Sequence, residues 1–281
     1  MNKNQKIAVT GANGYIGRHV VNALLDRGAQ VIAVDLSTDE ISNQATRINS
    51  DIFLEDEAIF QRLGSPDVCL HLAWIDGFNH NADSHIENLS SHYKFIKNMI
   101  RGGLRQIAVM GSVHEVGYYE GVVDEKTPCH PISQYGIAKD ALRRSLFNFV
   151  RNYDVVTQWL RGFYIYGDDA HNHSIFTKII QAELNGDRLF PFTTGKNQYD
   201  FIHVAEIAQM ISACVLQEDI DGIINCCSGV PVSLAEKVEK FIHDNNFKIK
   251  LNYGAFPDRP YDSPAIWGDT TKIEKILSKQ S

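Results

Sequence analysis

Short apolar runs alternate with helical patterns along the first half of the chain. The apolar runs predict strands at Lys6–Val9, Gln30–Val34, Arg47–Ser50, Val68–Ala73, Gln106–Met110 and Val155–Leu160. Apolar side chains at helical spacing predict helices at Tyr15–Arg27, His85–Arg101 and Ser133–Arg151. Strands that are apolar throughout and alternate with helices are typical of a parallel sheet covered on both faces. The pattern therefore predicts an α/β protein with a doubly wound parallel sheet.

The second half of the chain is less regular, because turns and aromatic clusters interrupt the pattern after Arg161. Helical patterns persist at Ser174–Asn185, Val204–Gln217 and Leu234–Asn245, and a strand pattern lies at Gly222–Cys227. We expect segments near 200–228 to complete the sheet of the first half. The remainder of residues 162–281 is expected to form a small lobe from non-contiguous segments.

Composition narrows the class of protein. The 281 residues are 44% hydrophobic and 22% charged, as in globular domains, and the net charge of −7 argues against non-specific nucleic-acid binding. No apolar run approaches the ~20 residues of a membrane span, and the N-terminus has no signal-peptide core, so we expect a cytoplasmic protein. Five cysteines without a C-x-x-C pair indicate reduced thiols, and His171 and His173 lack metal-ligand spacing. We expect no metal and no membrane partner.

A glycine-rich turn connects the first predicted strand to the first predicted helix. The turn, TGANGYIG, spans Thr10–Gly17, and the free N–H groups of the following helix would point at a bound pyrophosphate. Its spacing is G-x-x-G-x-x-G rather than the usual G-x-G-x-x-G. Asp35 follows eighteen residues after Gly17, at the end of the second strand, where a carboxylate can bind both ribose hydroxyls. The candidate contacts in the turn are Gly11, Asn13, Gly14, Tyr15, Ile16 and Gly17.

The cofactor predicted from this arrangement is a nicotinamide dinucleotide. Because Asp35 would repel a 2′-phosphate, NAD(H) is favoured, and NADP(H) stays possible since Arg18 lies nearby. An acid after the third strand, Asp51 with Ile52, could bind the adenine, or it could be an ordinary loop aspartate. Leu72, Ala73 and Trp74 end the fourth strand and complete the candidate cofactor site. His71 beside them is expected to be structural.

Three side chains form a candidate catalytic set. Tyr135 and Lys139 lie four residues apart on one face of a helix, and Ser112 ends the preceding strand. Oxidation of a secondary alcohol needs a base for the hydroxyl proton, and a tyrosine serves only if nearby positive charge lowers its pKa from about 10. We expect Lys139 and an oxidised nicotinamide to provide that charge, and Ser112 to hydrogen-bond the reacting oxygen. In reverse, the tyrosine would protonate a ketone.

These residues, in this order, resemble the extended short-chain dehydrogenase/reductases, the NAD-dependent epimerase/dehydratase group that acts on nucleotide-activated sugars. The resemblance continues through four further segments, at LRGFYIYG (160–167), YDFIHVAEIA (199–208), Asn225–Gly229 and Arg259–Asp262. It therefore covers nearly the whole chain. It implies a Rossmann domain, assigned to residues 1–161, and a C-terminal substrate-binding lobe, mainly within 162–281.

The resemblance also implies roles for single residues. Ser112, Tyr135 and Lys139 would be catalytic, and Arg259 would hold the diphosphate of a nucleotide sugar. The glycines of the turn, with Asp35, Asp51 and Ile52, would hold the cofactor. Asn88 occupies a position where the family has an asparagine, and we interpret it as structural. The family commonly forms homodimers through two helices of each subunit, which here would be His85–Arg101 and Ser133–Arg151.

Several positions depart from the family pattern. The 4,6-dehydratases carry Asp-Glu after the catalytic Ser or Thr, whereas this chain has Val113 and His114, so dehydration is not expected. Glu115 should point away, and His114-Glu115 is interpreted either as a sugar contact or as a surface turn with a solvated acid. Tyr199 stands where the family has an arginine that binds the diphosphate, and Lys196 could provide the missing positive charge. The predicted substrate contacts are Ser112, Val113, His114, Tyr164, Lys196 and Arg259.

Two activities at C4 of the sugar remain. Trp74 takes the place of a small residue and should narrow the pocket, which favours a 4-keto-6-deoxy-sugar reductase, or 4-dehydrogenase, over a 4-epimerase. An epimerase needs room for its keto intermediate to turn over. A non-catalytic dinucleotide-sensing module is a third hypothesis, and the retention of Ser112, Tyr135 and Lys139 argues against it.

Overall fold

A computed structural model describes residues 5–54, 56–167, 172, 174–258 and 262–280. The strands are β1 (Lys6–Thr10), β2 (Gln30–Asp35), β3 (Thr46–Asn49), β4 (Val68–His71), β5 (Gln106–Ser112), β6 (Gly121–Val123), β7 (Val156–Gly162), β8 (Tyr164–Tyr166), β9 (Leu189–Phe192), β10 (Gln198–His203), β11 (Gly222–Cys226), β12 (Pro231–Ser233), β13 (Lys250–Tyr253) and β14 (Ala265–Gly268). The helices are α1 (Tyr15–Asp26), α2 (Ile59–Arg62), α3 (Ser84–Glu87), α4 (Leu89–Gly102), α5 (Gln134–Phe149), α6 (Ile175–Leu184), α7 (Val204–Val215), α8 (Leu234–Asp244) and α9 (Thr271–Ser278).

Seven strands form one parallel sheet in the order β11-β7-β5-β4-β1-β2-β3. The strand order reverses on the two sides of β1, so a crevice opens between β1 and β4 at their carboxyl ends. Ligands bind in such crevices in doubly wound sheets. The predicted doubly wound parallel sheet is confirmed.

Helices cover both faces of this sheet, as the continuous apolar strands require. On one face Val20 and Leu24 of α1 and Ile211 of α7 belong to the same core cluster as inward-facing residues of β1 and β2. On the other face, Met99 of α4 and Leu142 of α5 pack in a second cluster. Burial on both faces fixes the sheet, and thereby the positions of the strand ends.

Two smaller sheets, built mainly from strands of the C-terminal half, lie beside the carboxyl ends of the large one. One has the order β12-β10-β14-β6, with β8 paired to β10, and the other pairs β13 with β9. Of the segments near 200–228, β11 joins the large sheet and β10 lies in the five-stranded one. Helices α6 and α8 pack on a separate apolar cluster that includes Phe176, Phe192 and Val238. The division into a domain at 1–161 and a lobe within 162–281 stays a prediction.

The predicted helix His85–Arg101 is interrupted in the structure. It divides into α3 and α4 at Asn88, whose side-chain amide donates to the carbonyl oxygen of Ser84 at 2.9 Å. A side chain that hydrogen-bonds a carbonyl one turn earlier competes with regular helix. The other predicted elements differ from the observed ones by a few residues at their ends. None of the helices in the described ranges combines the length and apolarity needed to cross a membrane.

Candidate active site

A cavity of about 920 Å³ lies along the carboxyl ends of the parallel strands, between the large sheet and the C-terminal half. Its wall includes residues of the glycine turn and the ends of β2, β4 and β5. The opposite wall is contributed by aromatic residues such as Tyr164, Phe192 and Phe256. The cavity therefore extends from the predicted nucleotide contacts to the predicted catalytic residues.

The glycine turn is shaped by backbone contacts that leave no room for side chains. Gly11 has φ +67°, and a Cβ there would lie 2.6 Å from the backbone nitrogen of Ala73. A Cβ on Gly17 would lie 2.1 Å from the carbonyl oxygen of Gly11. Helix α1 begins directly after Gly14, which caps it with extended backbone and no side-chain hydrogen bond. The N–H groups of the first turn are thus directed toward an anion site that Gly14, Tyr15 and Ile16 line.

Asp35 is held at the end of β2 by backbone donors. Its Oδ2 accepts from the backbone N–H of Asn13 at 2.9 Å, and its Oδ1 accepts from that of Leu36 at 2.8 Å. The side-chain Oδ1 of Asn13 is buried and has no hydrogen-bond partner among the described residues. Arg18, which was expected to weaken the preference for NAD(H), forms an ion pair with Glu40. Its charge is therefore compensated.

The remaining predicted cofactor residues also border the cavity. Asp51 accepts a hydrogen bond from the backbone N–H of Phe53 at 2.9 Å, and Ile52 lies beside it. Leu72, Ala73 and Trp74 line the wall at the end of β4. A glycine cradle without Cβ atoms, a helix N-terminus without a side-chain cap, an acid at the end of the second strand and a buried amide oxygen without a partner among the described residues fit a dinucleotide.

The structure brings Ser112, Tyr135 and Lys139 together at the other end of the cavity. Ser112 ends β5, and its hydroxyl hydrogen-bonds the Tyr135 side chain and accepts from the backbone N–H of His114 at 3.3 Å. Lys139 lies one turn after Tyr135 on α5, 3% exposed, and its Nζ donates to the carbonyl oxygen of Met110 at 2.8 Å. A phenol, a hydroxyl and an amine thus face the same part of the cavity.

Burial shifts the pKa values of Tyr135 and Lys139 in the protein without cofactor. Burial raises the pKa of Tyr135 to about 12, against the opposing hydrogen bond from Ser112. Burial also lowers the pKa of Lys139 to about 7, although the Glu115 carboxylate opposes this shift. The prediction that Lys139 and an oxidised nicotinamide together lower the pKa of Tyr135 concerns the enzyme with its cofactor bound and stays a prediction; in the protein without cofactor, desolvation is the largest cause and raises this pKa. The phenol is therefore held in its protonated form.

Glu115 is not a solvated acid on a surface turn, which was one of the two readings from sequence. It is fully buried, and its carboxylate accepts from Arg161 Nε at 2.6 Å and from Trp159 Nε1 at 2.8 Å. Arg161 is equally buried and also donates to the carbonyl oxygen of Asp124 at 3.1 Å. Both partners of the Glu115 carboxylate are therefore buried side chains, and the carboxylate points away from the cavity, as expected.

A histidine-rich wall adjoins the catalytic side chains. His71, expected to be structural, is buried and bonded through both ring nitrogens, to Thr10 Oγ1 and to His92 Nδ1, each at 2.8 Å. Desolvation lowers its pKa to about 3, so it is uncharged. His80 stacks on the ring of Tyr135 with centroids 5.4 Å apart, and His114 lies 4.2 Å from His80. His80, His85 and His92 were not predicted, because only tertiary packing brings them to the site.

The predicted substrate contacts are distributed unevenly. His114 and Tyr164 line the cavity, and Tyr164 stacks on Tyr199 at 4.2 Å. Val113 is 3% exposed within an apolar cluster, and Lys196 is exposed in the loop between β9 and β10, outside the cavity wall. Arg259, like His171 and His173, lies outside the described residues. Asn88 lines the cavity.

The described ranges contain no group of three or more His, Cys, Asp or Glu side chains arranged to hold a metal ion.

Comparison with known proteins supports this description. A model of the NAD dependent epimerase/dehydratase family matches residues 7–227. The dTDP-6-deoxy-L-talose 4-dehydrogenase (NAD(+)) of Aggregatibacter actinomycetemcomitans is 44% identical over 267 residues, which cover 93% of this chain and 98% of that protein.

Solved structures show the same fold. A UDP-N-acetylglucosamine 4-epimerase from Methanobrevibacter ruminantium M1 aligns with TM-score 0.84 and 24% identity over 97% of this chain and 92% of that one. A UDP-glucuronic acid 4-epimerase from Bacillus cereus, in complex with UDP-glucuronic acid and NAD, aligns with TM-score 0.84 and 22% identity, covering 98% and 93%. The predictions of an enzyme, of this fold and of an NAD(H) cofactor are confirmed.

Proposed function

Because the chain belongs to the NAD dependent epimerase/dehydratase family, we propose that it is an NAD-dependent 4-dehydrogenase of dTDP-6-deoxy-L-talose and, in reverse, the reductase of the corresponding 4-keto sugar. The substrate follows the relative that is 44% identical over 98% of its own length. When bound, the nicotinamide supplies or accepts the hydride at C4. The turn Thr10–Gly17, Asp35 and the pair Asp51-Ile52 would hold the dinucleotide, together with Leu72–Trp74.

The catalytic side chains account for the proton. In the reducing direction the Tyr135 phenol donates its proton to the C4 carbonyl oxygen, and the Ser112 hydroxyl hydrogen-bonds that same oxygen. The raised pKa of Tyr135 keeps the phenol protonated and ready for this step. In the oxidising direction Tyr135 takes the C4 hydroxyl proton, and the ammonium of Lys139 stabilises the phenolate that must form first. Both directions use the same three residues.

The observation that carries the proposal is the placement of carboxylates around the cavity. Asp35, Asp51 and Asp262 are the acids among the described residues that line it, and Val113 and His114 follow Ser112. Elimination of water would require an acid and a base beside the C4 chemistry, yet Glu115 is locked to Arg161. Hydride and proton transfer at C4 is therefore the chemistry that these side chains support.

A 4-epimerase is the second candidate, because the solved relatives include 4-epimerases and the cavity is large. Against it, the Trp74 wall is braced by neighbouring rings and should restrict rotation of a keto sugar. His114 and Tyr164 would contact the sugar in either case. For the segments that the structure does not describe, Arg259 remains the proposed diphosphate ligand. Lys196 and Val113 remain predicted contacts that the cavity wall does not include.

The deciding experiment is a coupled pair of assays on the purified full chain. We expect dTDP-6-deoxy-L-talose with NAD⁺ to produce NADH stoichiometrically, followed at 340 nm, and the 4-keto product to be identified by NMR. An epimerase would instead interconvert C4 epimers in NMR without net NADH. A sensor would bind NADH and consume none with any 4-keto sugar. The same assay with UDP-, GDP- and CDP-linked sugars tests which nucleotide the enzyme accepts.

The proposals for the oligomeric state and the cellular location of the protein come from the family resemblance alone. We propose a homodimer through α4 and α5, on which Leu89 and Tyr93 are half-buried, whereas Ile96 and Ile100 are buried against the sheet. Light scattering measures the mass, and a monomer would contradict the proposal. A cytoplasmic location is likewise proposed.

A further inference from the structure

Trp74 is anchored by a hydrogen bond at its edge. It follows β4, and its indole Nε1 donates to Nδ1 of His85 at 3.0 Å. Because Nδ1 accepts, the ring proton of His85 lies on Nε2, which donates to the carbonyl oxygen of Asn79 at 2.9 Å. His85 is 1% exposed, so this anchor is inside the protein. The indole is therefore anchored by α3, and the histidine that anchors it is held in turn by the loop before that helix.

A second histidine supports the indole ring itself. The His92 ring stacks on it with centroids 4.3 Å apart and planes 15° from parallel. His92 is in turn bonded to His71, and His71 to Thr10 of β1. Burial lowers the pKa of both histidines far below the usual value, so they add no positive charge beside Lys139. The histidine rings that support the indole are therefore uncharged, and their hydrogen bonds connect them to β1 of the large sheet.

The ammonium of Lys139 lies against this braced ring. Its Nζ is 3.6 Å from the centroid of the Trp74 ring and donates one hydrogen bond, to Met110. No carboxylate within the described ranges lies at ion-pair distance from it. A desolvated cation over an indole face is stabilised more strongly than an exposed one. The Trp74 and Tyr135 rings also form a T-shaped pair, with centroids 5.9 Å apart and planes at 81°.

We propose that Trp74 is a positioning residue for Lys139: its face holds the ammonium beside Tyr135, and His85 and His92 hold the indole. The kinetic consequence rests on the proposed function, since it requires Lys139 to act in catalysis. The contact itself belongs to the protein without cofactor or substrate. It can therefore be measured separately.

The first test measures Lys139 in the cofactor-free protein. The probe is acetic anhydride, which acetylates neutral amines, and the readout is the rate of Lys139 labelling against pH by peptide mass spectrometry. Wild type should titrate near pH 7. Trp74→Phe keeps a ring of lower π density, and Trp74→Leu removes the ring, so the apparent pKa should fall in that order. We expect a drop of about half a pH unit or more in the leucine variant.

The titratable groups around Lys139 and Trp74 are not themselves substituted in these variants, although His85 and His92 lose their contacts with the indole in Trp74→Leu. The titratable groups are Tyr135 on α5, Glu115 on the turn after β5, His71 on β4, His92 on α4 and His85 on α3. Trp267→Phe, on β14 and away from the cavity wall, is the matched control and should leave the titration unchanged. An unchanged or raised pKa in Trp74→Leu, with native circular dichroism, would overturn the proposal.

The second test is a double-mutant cycle with the dTDP-sugar assay. Trp74→Leu should lower kcat about tenfold and change KM for the sugar less than about threefold, a loss of ~1.4 kcal/mol in transition-state stabilisation. In the Lys139→Met background the same change should alter kcat less than about twofold. Equal losses in both backgrounds would show that Trp74 acts independently of Lys139. If wild type turns over no nucleotide sugar, the proposed function fails and the labelling test still decides the contact.

Discussion

The two ends of the cavity are built in different ways. At the nucleotide end the shape comes from backbone, with Gly11 and Gly17 packed so closely that neither tolerates a Cβ. At the catalytic end it comes from side chains, with Lys139 between a carbonyl oxygen and the Trp74 ring. Backbone geometry can hold a pyrophosphate that many enzymes share, whereas a set of buried rings tunes individual protonation states. Substitutions at the two ends should therefore fail in different ways.

Tyr135→Phe is expected to give the largest difference between the effect on catalysis and the effect on cofactor binding. Loss of the phenolic proton should lower kcat by about 10³-fold, since a positioned acid contributes 10²–10⁴-fold. The dissociation constant of NADH, from fluorescence titration, should change less than about twofold. Tyr118→Phe, on a side chain that is 53% exposed, is the control. Retained turnover would remove Tyr135 from the mechanism.

Gly17→Ala should give the reverse pattern. The new methyl group would lie 2.1 Å from the carbonyl oxygen of Gly11, so the turn must open. We expect NADH affinity to fall about 100-fold, because a packed backbone cannot absorb such a contact. Gly77→Ala is the control, since Gly77 also borders the cavity but has open space around it. Equal NADH affinity in both variants would show that the turn does not bind the dinucleotide.

The support of the catalytic end should be sensitive to acid. His71 has a pKa of about 3 in the folded protein and about 6.5 unfolded, so the unfolded state binds the proton first as pH falls. The contribution of the uncharged His71 to the free energy of unfolding is fully present above about pH 6.5. It decreases as the pH falls from there toward 3, and about 2 kcal/mol has been lost at pH 5. Urea unfolding of His71→Gln should depend less steeply on pH. His243→Gln, on an exposed ring, should retain the wild-type slope.

Asp35→Ala should produce the smallest of these effects. The carboxylate would no longer bind the ribose or repel a 2′-phosphate, so NADH affinity should fall about tenfold and the ratio of NADPH to NADH affinity should rise. Asp39→Ala, on an exposed aspartate of the same loop, is the control. Tighter binding of NADPH than of NADH by wild type would contradict the cofactor preference.

Sequence patterns predicted the features that are local along the chain. The turn at Thr10–Gly17 and the acid at Asp35 lie within one strand-helix-strand unit, so their spacing alone defines a site. Tyr135 and Lys139 are one helical turn apart, which places them together without knowledge of the fold. The apolar strands predicted the sheet for the same reason, because alternation with helices leaves few arrangements.

Features that depend on packing between distant segments could not be predicted in this way. His80, His85 and His92 come from a loop and two helices and meet only around Trp74 and Tyr135. The raised pKa of Tyr135 in the protein without cofactor was not predicted, since desolvation depends on how closely the walls of the cavity approach the phenol. The fate of Glu115 depends on Arg161, 46 positions later. Each case requires the tertiary structure.

The buried ion pair of Glu115 limits how this scaffold could acquire a new reaction. Withdrawing the acid from Arg161 would strand a guanidinium in the interior, at a cost of about 3–5 kcal/mol. A variant of this protein that catalyses dehydration could therefore not easily use Glu115 as its acid or base. A carboxylate introduced by substitution at position 114 is the simpler change, because the side chain of His114 already lines the cavity.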